Sequence, residues 1–496
     1  MTATDIAATL VLVAAPVPAL RLPLDRRFRK LFGRTAFLVV VAVGAWWVGV
    51  AVLAAVARQG LVVVAVITGV SSLALWWRAR PARGRWRGHP RGSLSLTRSL
   101  RGLAHRDDYQ VQAERFGAIF RMMQPSGPVV CVVGLERGQR IIREHRDAIG
   151  PSPLPFTQQV LGGFLRYMDD DVHDVYGPLF RRAMSRAVTD AAAPVARAAM
   201  HSELQAIGSD AHDPSPCLQR IARATVLAAL LGLRAGDTLL DEWVRHDAAA
   251  AWSPRLRQRN RRSLEGLASL REVVRRQGEA LRTEPEPAVC ALTELAALDP
   301  SMPDATCVDN LIFMVRIGSA NVASLLRWVV QMLAAEPGWR DRLADQSATA
   351  DPLTPDLHDA FVMEVLRLAQ SEYVYRRVLS DVNFEGVVVP RGSLLRICVA
   401  ESHRDASIFP AADVLTDRFH GHRPPQAEYS PFGFDRHACN SIGLSSMIAR
   451  TVVEAIVSCP DLALQAAGGV ARDLRHWSHW RPGPDLAWSR SGPSPR

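Results

Sequence analysis

The chain has 496 residues, of which 48% are hydrophobic, and it carries a formal net charge of +10. Residues 1–95 hold thirteen Lys and Arg against two acids, a charge of +11, so the rest of the chain carries −1. Nucleic-acid binding by the folded region is therefore not predicted. The seven cysteines are scattered, which argues against a disulfide framework or zinc ribbon and favours reduced thiols in a cytoplasmic region.

Two uncharged apolar runs near the N-terminus predict a membrane hairpin. Residues 35–57 contain 23 residues without a charge, and residues 61–77 supply a second run of 17, so each can cross a bilayer core as a helix. Arginines crowd both outer flanks, which places both flanks in the cytoplasm by the positive-inside rule. The alternative is that the two runs are buried helices of a soluble core.

The sequence thus divides into four segments. We expect a basic, interfacial segment at residues 1–34, a transmembrane helical hairpin in the cell membrane at 35–78 and a basic linker at 79–94. Residues 95–496 are expected to form one mainly helical catalytic domain with a minor β-sheet region, on the cytoplasmic side.

The pattern along this domain changes several times. Residues 116–134 contain two short β-like runs, and residues 135–376 follow a mainly helical pattern. Within it, residues 312–333 form a long apolar helix interrupted by small and polar residues. Residues 378–399 again favour short strands, and an apolar helix is predicted directly after Cys439.

Cys439 is the residue with the most distinctive chemistry. It lies in the segment PFGFDRHACNS, after a Phe-Gly turn and a histidine and before the predicted helix. A helix N-terminus and a nearby cation lower the pKa of a thiol, and the resulting thiolate can ligate haem iron. A packed core thiol is the alternative.

An ion pair is predicted further upstream, where Glu364 and Arg367 are spaced by one helical turn. Other Glu-x-x-Arg pairs occur in the chain, so the spacing alone indicates no more than a solvated helical ion pair. The segment that follows this pair sets it apart, since it leads through short strands to Arg418 and then to the Cys439 segment.

The order and spacing of these features resemble the cytochrome P450 family, the haem-thiolate monooxygenases, over about residues 95–490. FGFDRHAC is similar to the family's cysteine-pocket signature, which implies a haem b cofactor with Cys439 as the axial iron ligand. The resemblance also implies haem contacts from Phe432, His437, Arg377, Arg181 and Arg182, a structural triad of Glu364, Arg367 and Arg418, and a distal oxygen site at Gly318, Ser319, Ala320 and Asn321.

The chain departs from the family pattern at three places. Asp435 and Ser441 stand where the family signature has glycine, although aspartate tolerates left-handed backbone better than most residues. The third departure is in the long helix, where the family has an acid followed by an alcohol that relays protons. Ala320 and Asn321 occupy those places, and neither is a general acid near neutral pH.

The expected function is oxidation of a small, lipophilic metabolite by a divergent, actinobacteria-like family member, in secondary metabolism. Electrons would come from a separate ferredoxin or flavoprotein, because no dinucleotide-binding glycine motif is present. A redox-neutral isomerase or dehydratase, or a peroxygenase, would need no acid-alcohol relay and remains an alternative. A non-catalytic, membrane-tethered scaffold is the alternative from another class.

Overall fold

The computed structural model describes residues 46, 88–93, 105, 107–124, 127–152, 164–249, 261–348, 356–370, 373–466, 470–472, 480–483 and 485–490. The hairpin expected at residues 35–78 lies outside this part of the chain, apart from residue 46. Among the described residues one helix, Asp304–Ala335, is long and apolar enough to cross a membrane, and 50% of its apolar window is buried inside the protein.

The domain is mainly helical, as the sequence predicts. The α-helices are α1 Asp108–Phe116, α2 Leu135–Glu144, α3 Asp170–Ala183, α4 Arg186–Ala206, α5 Ser215–Leu231, α6 Thr238–Ala249, α7 Arg261–Thr283, α8 Ala291–Leu298, α9 Asp304–Ala335, α10 Pro337–Ala348, α11 Leu357–Val365, α12 Val399–Ser402 and α13 Ile442–Val457. Short 3-10 turns span Arg146–Ala148 and Leu165–Tyr167, and one π-helical turn, Leu366–Gln370, extends α11.

The β part forms one main sheet and three small pairs. The strands are β1 Gly92–Ser93, β2 Ile119–Gln124, β3 Gly127–Val133, β4 Ile149–Pro151, β5 Tyr373–Val378, β6 Val382–Phe384, β7 Val387–Val389, β8 Leu394–Cys398, β9 Leu462–Gln465, β10 Val470–Arg472, β11 Trp480–Pro482 and β12 Ala487–Arg490. The main sheet has the order β1-β2-β3-β8-β5-β4. The predicted β-like runs at residues 116–134 and 378–399 supply three of its six strands, β2, β3 and β8.

The long helix α9 is the centre of the helical core. It packs against α5 on one side and against α13, α11 and α7 on others. Its residues are buried from Val308 to Phe313 and again from Val322 to Leu326. Because these neighbours pack against it on several sides, α9 is a core helix of this domain. Burial in the core accounts for the apolar character of such a long helix.

One buried carboxylate fixes the segment that leads to Cys439. Arg367 donates from Nε and Nη2 to the two oxygens of Glu364, at 2.7 and 2.8 Å, and both side chains are fully buried. Arg418 donates from Nε to the same carboxylate at 3.0 Å. The structure therefore brings together all three residues of the expected triad.

The same two arginines hold backbone carbonyls of the following loop. Arg367 Nη1 donates to the carbonyls of His403 and Ala412, at 2.8 and 2.6 Å. Arg418 donates to the carbonyls of Pro410 and Ala411. These carbonyls belong to irregular backbone, which lacks the regular hydrogen bonds of a helix or sheet. The guanidinium groups supply hydrogen bonds to the carbonyls instead.

Replacing Glu364 with Gln should destabilise the protein by about 3–5 kcal/mol, because it leaves two inward-facing guanidinium groups without their anion. Chemical unfolding of both proteins measures the difference. Glu272→Gln is the matched control, since Glu272 has the same spacing to Arg275 but is 61% exposed at a distance of 4.0 Å; it should cost under about 0.5 kcal/mol. Equal losses for the two variants would contradict the structural role of Glu364.

Candidate functional site

A tight loop presents Cys439 at the start of α13. Gly433 and Asp435 adopt left-handed backbone, with φ of 76° and 67°. The amide of Ala438 donates to the carbonyl of Asp435 at 3.1 Å, and the amide of Cys439 donates to that of Phe432 at 3.0 Å. Asp435 therefore takes the conformation for which glycine is otherwise preferred, at the modest strain that aspartate allows.

Ser441 follows this loop as the residue that caps α13. Its φ is −107°, which any residue adopts without strain, so its side chain is compatible with the backbone there. Its amide donates to the sulfur of Cys439 at 3.4 Å. This hydrogen bond is the kind of interaction that stabilises a sulfur ligand.

The thiol of Cys439 is accessible but closely surrounded by protein. The side chain is accessible, yet protein surrounds it so closely that burial raises its pKa above the ordinary value, against the effect of the Ser441 amide and the charge of Arg166. The sequence-based expectation of a lowered pKa is therefore wrong for the protein alone. The helix N-terminus and the cation do act in the expected direction, but desolvation of the thiolate outweighs them.

The central helix α9 opens on one side between residues 316 and 321. The side chains before and after this stretch are buried, whereas residues 316–320 are partly accessible and Asn321 is exposed. Phe313, on the same helix, stacks on Phe164 at 4.0 Å. The turn Leu165–Tyr167 that follows Phe164 carries Arg166, whose charge acts on Cys439. The open stretch of α9 and the Cys439 loop thus line the same interior region.

The four expected distal residues do not all face this region. A side chain at Gly318 would point to α5, where Val226 lies 3.7 Å away. The hydroxyl of Ser319 is buried and has no hydrogen-bond partner among the described residues. Ala320 and Asn321 are the next two residues of the helix. Ala320 is partly accessible, and Asn321 is exposed. The structure therefore leaves Asn321, not Ser319, as the polar side chain that can reach a distal ligand.

The cation nearest the Cys439 loop on β5 is Arg376 rather than Arg377. Arg376 is 8% exposed, and burial lowers its pKa to about 10, while the charge of Asp435 in the loop acts to raise it. Arg377 points to solvent. Strand alternation explains the difference, because Arg376 shares a face with Val374, which packs 3.6 Å from the position that a side chain on Gly433 would take. Arg376, not Arg377, is therefore the buried arginine of this strand.

A pair of histidines lies beside this arginine. The rings of His173, on α3, and His437, in the loop, are 4.1 Å apart. Burial lowers the pKa of both, that of His437 to about 3, with the charge of Arg376 adding to the effect. Both imidazoles are therefore neutral at pH 7. Gly177, one turn after His173, provides the space, since a Cβ there would lie 2.5 Å from the ring.

The remaining expected haem contacts have different surroundings. Arg181 and Arg182 both lie on the exposed face of α3, so neither is a buried cation at this site. Arg181 instead donates to the carbonyl of Arg436 at 3.0 Å and so ties α3 to the loop. Phe432 is partly buried against the helical core.

Three buried polar atoms at this site lack hydrogen-bond partners among the described residues. They are Nη2 of Arg376 and the Nδ1 atoms of His173 and His437. Buried donors and acceptors without partners are costly, and their concentration at one place indicates a polar ligand group. Arg376 is suited to a carboxylate, which accepts hydrogen bonds from its guanidinium, whereas a neutral imidazole donates only through the nitrogen that carries its proton, and Nε2 of His437 already faces Oδ1 of Asp170 at 3.4 Å. Sequence reasoning missed His173 and Arg376, although the period-two pattern of β5 carries the signal for Arg376.

Comparison with known proteins agrees with this geometry. The family model described as Cytochrome P450 matches residues 301–462, which include α9, the Glu364 triad and Cys439. The rice protein cytochrome P450 714D1 is 27% identical over 179 residues, covering 32% of this chain and 31% of its own length. Cytochrome P450 138 of Mycobacterium tuberculosis is 28% identical over 276 residues, covering 51% of this chain and 62% of its own.

Over residues 301–462 the chain is similar to the cytochrome P450 family. Its fold matches the structure entitled retinoic acid bound cyanobacterial CYP120A1, with a TM-score of 0.67 and 18% identity over 81% of this chain and 99% of that one. The chain spans about a third of the length of the rice relative and under two thirds of the mycobacterial one.

Haem b is the cofactor of this family, and the residues present fit it. Cys439 offers the sulfur ligand, and Arg376, His173 and His437 offer unpartnered polar groups where two propionates require them.

Arg376→Gln should weaken haem binding by about tenfold to a hundredfold, because a charge-assisted hydrogen bond to a propionate is lost. Arg377→Gln, the matched control on the next residue of the strand, should bind haem as the unchanged protein does. Haem titration of the apoprotein measures both affinities. A larger loss for Arg377→Gln would restore the original assignment and contradict this one.

Proposed function

We propose that the protein is a haem-thiolate monooxygenase that oxidises a small, lipophilic molecule. The observation that carries the proposal is the environment of Cys439, an accessible sulfur that protein surrounds closely, in the same loop as His437 and its unpartnered Nδ1 atom. When bound, haem supplies the activation of dioxygen and the transfer of an oxygen atom to the substrate.

The residues around Cys439 have distinct tasks in this proposal. Cys439 binds the iron through its sulfur, and the amide of Ser441 donates to that sulfur, which tunes the electron density that it carries. Arg376 would hold a propionate, with His173 and His437 beside it. The folded loop backbone holds the sulfur in place before the cofactor binds, which limits the entropy lost on binding.

The distal side controls protons and water. Ala320 can neither donate nor accept a proton, and the hydroxyl of Ser319 is buried. Asn321 is exposed, and an amide side chain can hold a water molecule. In the monooxygenase proposal this water, or a hydroxyl of the substrate itself, delivers the protons that dioxygen activation requires.

A second candidate function follows from the same stretch of helix. With no titratable group at residues 318–321, the site also suits a peroxide-driven oxidation or a redox-neutral rearrangement, because neither needs a proton relay. Monooxygenation is preferred because one relative, 21% identical over 154 residues, is named abscisic acid 8'-hydroxylase 1, and hydroxylation inserts an oxygen atom. The complete Glu364 triad and the unpartnered polar groups argue against a scaffold that has lost its cofactor.

The substrate class is supported by the apolar lining and by one structural relative. Ile317 lies in the partly accessible stretch of α9 and Phe313 is buried just before it, and such apolar residues favour an apolar molecule. The cyanobacterial structure carries bound retinoic acid, a small and largely apolar compound. Electrons would come from a separate ferredoxin or flavoprotein. A role in secondary metabolism remains part of the proposal.

Cys439→Ser tests the proposal at its centre. The reduced, carbon-monoxide-treated protein should show the long-wavelength Soret band of thiolate ligation, and the variant should lose it, since a serine hydroxyl does not supply a thiolate. Persistence of the band in the variant would refute the ligand assignment. Product formation that needs no electron donor would favour the redox-neutral or peroxide-driven candidate.

We also propose that residues 35–78 anchor the protein in the membrane, with the catalytic domain in the cytoplasm. Support comes from their uncharged length and arginine-rich flanks. Removal of residues 1–78 should move the protein from the carbonate-washed membrane fraction to the supernatant. Removal of residues 1–34, the matched control, should leave it in the membrane fraction. Recovery of the full chain in the supernatant would rule out the anchor.

A further inference from the structure

A cavity lies beside the Cys439 segment, where this segment meets α11 and the start of α13. Its volume is about 330 Å³. Phe432 and Gly433 line it from the Cys439 segment, and Ile442 lines it from α13. Among the described residues its lining includes none from α3, α9 or β5, which carry the other groups of the proposed haem site. The cavity is therefore a second concave site of the protein.

The volume of the cavity favours a small molecule as its occupant. Ligand cavities typically measure about 300–1,000 Å³, and this cavity lies at the lower end of that range. A stable protein–protein interface covers roughly 800 Å² of surface on each partner. A cavity of this size holds a compact ligand, but it cannot by itself supply such an interface.

Apolar side chains form much of the cavity wall. Val362 and Leu366 of α11 are buried, and Phe432 is partly buried. Ile442, the first residue of α13, is 42% exposed although it borders a concave surface. An apolar ligand would remove this side chain from water, and the loss of exposed apolar area is favourable. The wall therefore suits a ligand with an apolar body.

Arg423 supplies a cation at the same cavity. Its side chain is exposed and forms no hydrogen bond or ion pair within the part of the chain that the structure describes. Asp359, the acid in the cavity wall, pairs with Arg450 instead, with its Oδ1 3.5 Å from Nη1 of the arginine. The guanidinium group of Arg423 is thus available to a ligand.

The chemistry of the guanidinium group indicates the charge of that ligand. It presents its donors in a planar fork that matches the two oxygens of a carboxylate. Such a pair is stronger in a partly enclosed cavity than on an open surface, because less water screens it. The alternative is a solvated surface arginine, which would give no preference for a charged ligand over a neutral one.

We propose that this cavity is a second ligand site, which binds a small amphipathic carboxylate. The apolar body of the ligand packs against Phe432 and Ile442, and its carboxylate pairs with Arg423. Phe432 also accepts the hydrogen bond from the amide of Cys439, at 3.0 Å. A ligand at this site therefore contacts the loop that presents the sulfur. The site goes beyond the proposed monooxygenase function.

The test is a calorimetric titration of the full-length, haem-loaded protein with octanoate and phenylacetate, each compared with its primary amide. At least one acid should bind about tenfold or more tightly than its amide, because only the acid forms the ion pair. Arg423→Gln should remove this preference by weakening the acid while leaving the amide nearly unchanged. If neither acid binds more tightly than its amide, the inference is wrong.

A second variant changes the cavity without changing Arg423. Ile442→Glu places a negative charge in the cavity and should weaken the acid by about tenfold or more. The protein should still fold, since an acid is favourable in the first turn of a helix. An acid preference that survives both Arg423→Gln and Ile442→Glu would place the bound acid elsewhere and contradict the inference.

Two matched controls lie outside the cavity. Arg391 is also an exposed arginine, and Ile408 is an isoleucine of similar exposure, 38%. Arg391→Gln and Ile408→Glu should both keep the preference for the acid, and its loss in either variant would contradict the assignment to this cavity. The carbon-monoxide spectrum is measured on every variant. A normal thiolate band without any acid preference overturns the second site alone, and loss of the band from the unchanged protein overturns the haem-thiolate function instead.

Discussion

The buried carboxylate of Glu364 is the interaction on which the rest of the site depends. Two guanidinium groups neutralise it, and their other donors reach the backbone of residues 403–412. His403 in turn accepts a hydrogen bond from the amide of Ser430, at 3.1 Å, one residue before the Cys439 segment begins. The buried charge of Glu364 thus fixes the conformation of irregular backbone far along the chain. Hydrophobic packing alone specifies such backbone poorly.

The Cys439 loop is held from several other directions. Tyr429 donates to the carbonyl of Met363 on α11 at 2.8 Å, and Arg181 donates to the loop from α3. Arg436 pairs with Asp174 of α3 at 2.9 Å. The sulfur is therefore positioned by contacts that precede any cofactor, while nearby polar groups of His173, His437 and Arg376 are left for a ligand. Ion pairs and hydrogen bonds thus position the loop, while polar side-chain groups without all their hydrogen bonds lie at the proposed binding site.

The sequence was sufficient to predict the parts that follow from ordered motifs. The mainly helical class, the long core helix and the β-like runs were predicted correctly, because period and apolar length are local signals. The structure also brings Glu364, Arg367 and Arg418 into contact. The left-handed backbone at Asp435 matches the tolerance expected of aspartate.

The sequence did not reveal features that depend on side-chain orientation or on desolvation of a charged group. The resemblance implied a haem contact from Arg377, whereas the alternation of β5 turns Arg376 inward and Arg377 outward. His173 was missed because its role depends on the ring of His437 from a distant segment. The pKa of Cys439 was expected to fall, but burial, which no local pattern reveals, raises it.

The electron-density map of the haem-loaded protein tests the central claim most directly. The account predicts that the sulfur of Cys439 is the axial ligand, and that Arg376, His173 and His437 contact the propionates. A different axial ligand, or propionates held by Arg377, Arg181 and Arg182 at the protein surface, would contradict it.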